Sequence, residues 1–126
     1  MMNFESLEVW KRAARLSADI YKNPTITKDF GFRDQLTRAG LSVPSNIAEG
    51  MTRDSDREKV RFLDIARSSL AEARTQIYIG IDINYIDSNV GQLWLCETSE
   101  LSKMLSSLIS KIKERAALII KNPTDF

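Results

Sequence analysis

The chain has 126 residues, and its 18 basic and 17 acidic side chains leave a formal net charge of +1. So small a net charge gives no global field that would draw the protein to nucleic acid or to a membrane surface. With three prolines and five glycines, the composition leaves little room for a turn-rich β fold and predicts one domain over residues 1–126.

The first predicted element is a helix from about Ser6 to Lys22, because apolar residues recur there at spacings of three and four. One edge of this helix carries Val9, Ala13, Leu16 and Ile20, and the adjacent edge carries Leu7, Trp10, Ala14 and Tyr21. The dipeptide Asn23-Pro24 ends the helix, since the residue before a proline disfavours helical backbone angles.

A second helix is predicted from about Asp29 to Glu49, with Gly50 as its C-cap. Its apolar row consists of Phe32, Leu36, Ala39, Val43 and Ile47, and a polar row beside it consists of Arg38, Ser42, Asn46 and Glu49. Pro44 lies in the interior and removes the hydrogen bond to the Gly40 carbonyl, which predicts a kink there. A Ser or Asn side chain nearby could satisfy that freed carbonyl.

The polar row of the second helix allows two interpretations. In one, it is a hydrogen-bonded network inside a bundle, with Glu72 as a partner of Arg38 across two helices. In the other, it is a ligand or nucleic-acid site in which Arg38 is the cation and Ser42 and Asn46 are donors.

The third helix is predicted from about Asp56 to Tyr85, with Ser55 as N-cap and Glu58 completing a capping box. Its inward seam consists of Leu63, Ala66, Leu70, Ala73, Ile77 and Gly80. A fourth helix follows from about Val90 to Ile120, capped by Ser88 or Asn89 and ended by Pro123, with the last three residues expected to be loose. Its predicted inward residues are Leu101, Leu105, Leu108, Ile112 and Ile119.

Four amphipathic helices joined by short polar links predict an all-α fold, an antiparallel up-down-up-down four-helix bundle. The N-terminus lacks a signal-peptide pattern and no apolar run reaches the roughly 20 residues of a membrane span. The lone Cys96 excludes an internal disulfide, so we expect a soluble protein of the reducing cytoplasm.

Catalysis is not expected. The sequence contains no histidine, the commonest general base and a frequent zinc ligand. Cys96 lies in the apolar stretch L-W-L-C-E and is interpreted as a small core residue. Glu49 and Glu72 could pair as carboxylates, but di-metal bundles also need Glu-x-x-His motifs. We therefore predict no cofactor and no metal.

Three segments of the chain resemble one bacterial family. They read F-E-S-L-E-V-W, Q-L-T-R-A-G-L-S-V-P-S-N-I-A-E-G and R-F-L-D-I-A-R-S-S-L-A-E-A-R-T-Q. The family is that of the four-helix bundle proteins encoded in intervening sequences of 23S ribosomal RNA genes, and the resemblance covers about residues 4 to 86. Its fold relatives include the accessory variability protein of diversity-generating retroelements.

The resemblance implies a left-handed up-down-up-down bundle that assembles into a barrel-shaped homopentamer. The retroelement member binds nucleic acid and a reverse transcriptase through a basic surface. The family's first motif falls here on Gln35, Arg38, Ser42, Pro44, Asn46, Ala48, Glu49 and Gly50, and its second on Phe62, Ala66, Ser69 and Glu72. The residues around Ala73 and Gly80 depart from the family pattern, and the near-neutral charge departs from the strongly basic retroelement member.

Nucleic-acid binding is the leading functional hypothesis, through backbone contacts repeated around a homopentameric ring. The candidate residues are Lys11, Arg12 and Arg15 on the first helix and Arg53, Arg57, Lys59, Arg61 and Arg67 around the start of the third. Acidic neighbours such as Asp54 and Glu58 equally allow a solvated surface.

The alternative hypothesis is a protein scaffold without nucleic acid, whose partner is itself or another protein such as a reverse transcriptase. The broad apolar width of the third helix and four aromatic residues would then form the oligomer interface: Phe4, Trp10, Tyr21 and Trp94.

Overall fold

The computed structural model describes residues 3–24, 26 and 28–121. After a 3₁₀ turn at Phe4–Ser6, four helices follow: α1 (Glu8–Lys22), α2 (Phe30–Met51), α3 (Asp56–Asp82) and α4 (Ser88–Lys121). No strand occurs in these ranges, so the predicted all-α class with four helices is confirmed. The predicted stop at Pro123 and the loose last residues lie outside the described residues.

Three helices begin at side-chain caps. The carboxylate of Asp29 accepts a hydrogen bond from the Phe32 N–H at 3.2 Å, and the Ser55 hydroxyl accepts one from the Glu58 N–H at 3.1 Å. The prediction of Ser88 or Asn89 as the cap of α4 is wrong. Asp87 fills that position, because its carboxylate accepts the Val90 N–H at 3.1 Å.

Gly50 is an interior residue of α2 rather than its C-cap, since the helix runs on to Met51 and Thr52 follows as the cap. Its backbone has no positive φ, so conformational freedom does not explain a glycine here. A Cβ at this position would lie 3.0 Å from the Cβ of Phe62 and 3.1 Å from the Lys59 carbonyl oxygen. Gly50 therefore allows the end of α2 to approach the start of α3 closely.

The third helix ends at Asp82, three residues before the predicted Tyr85. Asn84 adopts a left-handed conformation with φ of 62°. The Tyr85 N–H donates to the Gly80 carbonyl at 2.8 Å, and the Asn84 N–H donates to the Ile81 carbonyl at 3.1 Å. This is a Schellman motif, in which asparagine takes the left-handed position that most residues avoid.

The core contains nearly all of the predicted inward residues. The edge of α1 with Val9, Ala13, Leu16 and Ile20 and the predicted seam of α3 are buried, and so are Leu36, Ala39, Val43 and Ile47 of α2 and Leu101, Leu105 and Ile112 of α4. On the adjacent edge of α1, Leu7, Trp10 and Ala14 are half-buried and Tyr21 is 44% exposed. Two predictions on α4 are wrong: Ile119 is 41% exposed, and Cys96 is exposed. Cys96 points outward because Trp94 and Leu95, directly before it, take the buried positions of that turn.

Each helix contacts its neighbour in sequence, and α1 also contacts α4. Across the described residues, no Cα atoms of α1 and α3 come within 8 Å of each other, so these two helices are not neighbours. Arg12 joins α1 to α4, with its Nε 2.9 Å from a Glu97 oxygen and its Nη2 2.6 Å from a Glu100 oxygen. No helix in the described part of the chain is long and apolar enough to cross a membrane.

Substitution of Gly50 by Ala should lower the free energy of unfolding by about 1–3 kcal/mol, because the added methyl group overpacks a contact with backbone atoms. The matched control is Gly31→Ala in the same helix, where the nearest atom to a new Cβ is the Asp29 Oδ1 at 3.5 Å. Alanine's helix propensity should there raise stability by up to about 1 kcal/mol. Urea unfolding measures both, and a stabilising Gly50→Ala would contradict the close packing.

Candidate nucleic-acid interface

The middle of the polar row on α2 forms a hydrogen-bonded network with α3. The hydroxyl oxygens of Ser42 and Ser69 lie 2.8 Å apart, and the Asn46 side-chain amide donates to the Ser42 carbonyl at 2.8 Å and to its hydroxyl at 2.9 Å. All three residues are half-buried. Asn46 thus bonds to the Ser42 carbonyl rather than to the Gly40 carbonyl that Pro44 leaves free. For Ser42 and Asn46 the geometry favours the network interpretation of the row.

Arg38, at one end of the polar row, and Glu72 of α3 both lie outside this network. Arg38 is exposed and donates to Asp34 one helical turn earlier, at 2.8 Å. Glu72 accepts from the amide of Gln76 at 3.4 Å. The predicted pair of Arg38 with Glu72 is therefore wrong, because each side chain finds a partner on its own helix.

The predicted basic residues of α1 are largely engaged within the chain. Lys11 lies 3.8 Å from Glu8. The hydrogen bonds that Arg12 donates to Glu97, and then to Glu100, raise the pKa of its guanidinium above the ordinary value. Arg15 is exposed and forms no ion pair with a described residue. Of this group, Arg15 has the most accessible charge.

A second basic group, here called the α2–α3 cluster, consists of Arg53, Arg57, Lys59 and Arg61. The guanidinium groups of Arg53 and Arg61 lie 4.8 and 4.5 Å from the ring centroid of Phe62, within cation–π range. Phe62 is half-buried. An aromatic ring of the second family motif therefore holds two guanidinium groups at one end of the α2–α3 pair.

Carboxylates of the same chain partly neutralise the α2–α3 cluster. Arg53 donates to Glu49 at 2.6 Å and Arg61 to Glu58 at 2.9 Å. Lys59 donates to the Met51 carbonyl at 3.4 Å and to that of Arg53. Within the described residues, Arg57 is exposed and forms no ion pair. A phosphate would thus meet one free guanidinium group and two that are shared with glutamates.

Arg67 lies apart from the cluster, where it pairs with Asp64 at 2.6 Å and reaches the Ser106 hydroxyl of α4 at 3.2 Å. Because no Cα atoms of α1 and α3 come within 8 Å of each other across the described residues, the three predicted cations of α1 lie apart from the five in and before α3. They do not form one continuous patch in a single copy of the chain. No group of three or more Cys, Asp or Glu within the described ranges could hold a metal ion.

The aromatic residues predicted for an oligomer interface are mostly used inside the chain. Trp94 is buried, and Phe4 packs edge-on against Trp10 with ring centroids 5.2 Å apart. Only Tyr21 is largely exposed among the four. These side chains belong mainly to intramolecular packing.

The broad apolar width predicted for the third helix includes a regular second seam that was not predicted, here called the outer seam. It steps by four and three residues through Ile65, Ser69, Glu72, Gln76, Ile79 and Ile83. Ile65, Ile79 and Ile83 are 38%, 48% and 46% exposed. The Gln76 side-chain oxygen is buried, with no hydrogen-bond partner among the described residues. The regular spacing could have revealed this seam in the sequence.

The description "23S rRNA-intervening sequence protein" belongs to a family model that matches residues 5–107. The chain is also similar to a crystal structure from Bacteroides thetaiotaomicron, of a protein with unknown function from the S23 ribosomal protein family. That comparison gives 21% identity and a TM-score of 0.74, and covers 80% of this chain and 97% of the other. Such an identity shows a common fold alone. No curated protein sequence matches the chain.

Titration of Glu58 should show how firmly Arg61 is held. The hydrogen bond from Arg61 lowers the pKa of this carboxyl, so its contribution to stability is present above the unfolded-state pKa. That contribution is lost as pH falls through the lower native pKa. In Arg61→Gln the Glu58 pKa, measured by NMR, should rise toward the ordinary value. No change in the Glu58 pKa would mean that Arg61 is not bound to it in solution.

Proposed function

The chain belongs to the family of 23S rRNA-intervening sequence proteins, and on this basis we propose that it is a non-enzymatic scaffold that assembles into a homopentamer. The outer seam of α3 carries the proposal. The number five comes from the resemblance to the family. We propose no catalytic activity, because the chain has no histidine to act as a general base. The free Cys96 suits the reducing cytoplasm in which we place the protein.

For each protomer we infer an antiparallel up-down-up-down bundle. Along α2 and α3, Gly50 faces Phe62, Ser42 bonds to Ser69, and Gly80 faces Phe32. Along α3 and α4, Arg74 bonds to Thr98, Arg67 to Ser106, and Asp56 to Arg115. In both series residue numbers rise on one helix as they fall on the other, which supports opposite directions for successive helices.

The outer seam supports self-association because its residues are spaced by three and four, like those of the inward seam of α3, but lie on the surface of the bundle. The inward seam of α3 is buried in the core of the bundle, whereas three isoleucines of the outer seam remain partly exposed. Burial of apolar surface contributes about 25 cal/mol per Å². A facing helix would also bring a donor within reach of the Gln76 oxygen, which in one copy is buried without a partner.

Nucleic-acid binding is the second candidate function, and the α2–α3 cluster favours it. Its guanidinium groups are pre-positioned on Phe62, while Arg57 is exposed beside them. Contacts of this kind bind phosphate without reading the base sequence of RNA or DNA. A pentamer would present five copies of the cluster, so weak individual contacts would sum. A protein partner such as a reverse transcriptase would be the alternative occupant of the assembled surface.

Self-association through the outer seam predicts that Ile79→Asp reduces the mass of the particle, because a buried unpaired carboxylate opposes contact between copies. Light scattering on a sizing column measures the mass, and circular dichroism checks that the helices remain. The matched control is Leu93→Asp, at a position 71% exposed on α4. Ile79→Asp at wild-type mass would place the interface elsewhere. Substitution of Ile81 would test the interface less cleanly, because its side chain packs against Gly91 within the same chain.

Charge reversal in the α2–α3 cluster tests nucleic-acid binding. We expect Arg57→Glu with Arg61→Glu to abolish retention of a mixed-sequence RNA at low salt and to leave the particle mass unchanged. Wild-type retention should fall steeply as salt rises, since binding releases counterions. Lys28→Glu with Lys103→Glu changes the net charge equally and should keep the RNA. Equal retention by both double variants would exclude this cluster as the binding site.

A further inference from the structure

The last turns of α4 carry a surface that the proposed assembly does not use. Arg115 pairs with Asp56, the first residue of α3, at 2.5 Å. The helix then continues to Lys121. The family model ends its match at residue 107, so this part of α4 lies outside the matched segment. The α4 side of this surface therefore lies beyond the shared motifs.

An open groove lies between this end of α4 and the start of α3. Its apolar lining consists of Val60 from α3 and Ile112, Ala116 and Ala117 from α4, and its volume is about 390 Å³. Small side chains such as alanine allow the backbone of another helix to approach closely. The groove has the form of a two-helix cleft that a third helix could enter.

Two cations, Arg57 and Lys113, stand at the edges of the groove. Both are exposed, and neither forms an ion pair with a described residue. Two of the nearby carboxylates are already occupied, Asp56 by Arg115 and Glu58 by Arg61. Glu114 follows Lys113 on the exposed surface and is the remaining acid of this turn. The groove edge thus offers two positive charges to a ligand.

We propose that this groove binds an amphipathic helix of another protein, one whose apolar stripe is flanked by acidic residues. The apolar lining selects an apolar stripe, and the two cations select carboxylates beside it. A second copy of this chain that docked groove to groove would oppose its own Arg57 and Lys113 to those of the first. Nucleic acid would leave the apolar lining exposed to water. An acidic amphipathic helix satisfies both features of the groove at once.

Binding of designed peptides to the full-length protein tests this proposal. The probe is a fluorescein-labelled helical peptide of about 18 residues, or five turns, with leucines at helical spacing and glutamates on both flanks. The matched probe has lysines in place of the glutamates. Fluorescence anisotropy should show the glutamate peptide binding at least about tenfold more tightly, a difference of about 1.4 kcal/mol.

Three variants localise the binding. Arg57→Glu with Lys113→Glu should reverse the preference toward the lysine peptide, and Ala117→Trp should weaken both peptides by filling the groove. Lys28→Glu with Lys103→Glu, which lie outside the groove, should leave the wild-type preference unchanged.

Other outcomes overturn the proposal. Equal affinity for the two peptides, or absence of binding, would exclude an acidic partner helix. A change in particle mass caused by Ala117→Trp, measured by light scattering, would assign the groove to contact between copies. RNA could also compete with the glutamate peptide for binding. Equal competition on the wild-type protein and on Ala117→Trp would mean that the peptide binds to the α2–α3 cluster and not to the groove.

Discussion

The close approach of neighbouring helices at glycines is the constraint on which much of this structure depends. Gly50, Gly80 and Gly91 all occupy positions where a Cβ would crowd a neighbouring side chain. At Gly50 the crowded atoms include the Lys59 carbonyl, which cannot rotate away. The tight contact between α2 and α3 brings Ser42 and Ser69 within hydrogen-bond distance. It also fixes which side of α3 faces the core and which side carries the outer seam.

The charged side chains of this molecule form local ion pairs rather than one extended patch of positive charge. Most of the basic side chains that the sequence predicts as one nucleic-acid site form an ion pair with a carboxylate one turn away or on a neighbouring helix. Water screens exposed pairs of this kind, so they contribute little to stability. A phosphate backbone could therefore displace the glutamates from Arg53 and Arg61 at small cost. Phe62 would keep the guanidinium groups in place during that exchange.

The outer seam of α3 and the groove between α3 and the end of α4 differ in the partner that each can bind. The outer seam combines isoleucines with amide and hydroxyl groups, which suits a contact with a helix of another copy. The groove between α3 and α4 combines alanines with two unpaired cations, which suits a partner of opposite charge. The first surface falls within the segment that the family model matches, whereas the α4 side of the second lies beyond it. Assembly and partner recognition would thus occupy separate parts of the chain.

The sequence by itself determined the helical class, the four helices and most core positions of α1, α2 and α3, because a 3.6-residue period and local caps such as Ser55 act over a few neighbouring residues. It did not determine the end of α3, where Asn84 had to adopt a left-handed conformation. Nor did it determine the partners of Arg38 and Glu72, the exposure of Cys96, or the division of the basic residues into two groups. Those depend on how each helix is rotated about its axis and which helices become neighbours. Long-range packing decides such rotations, since many side chains tens of residues apart must fit together at once.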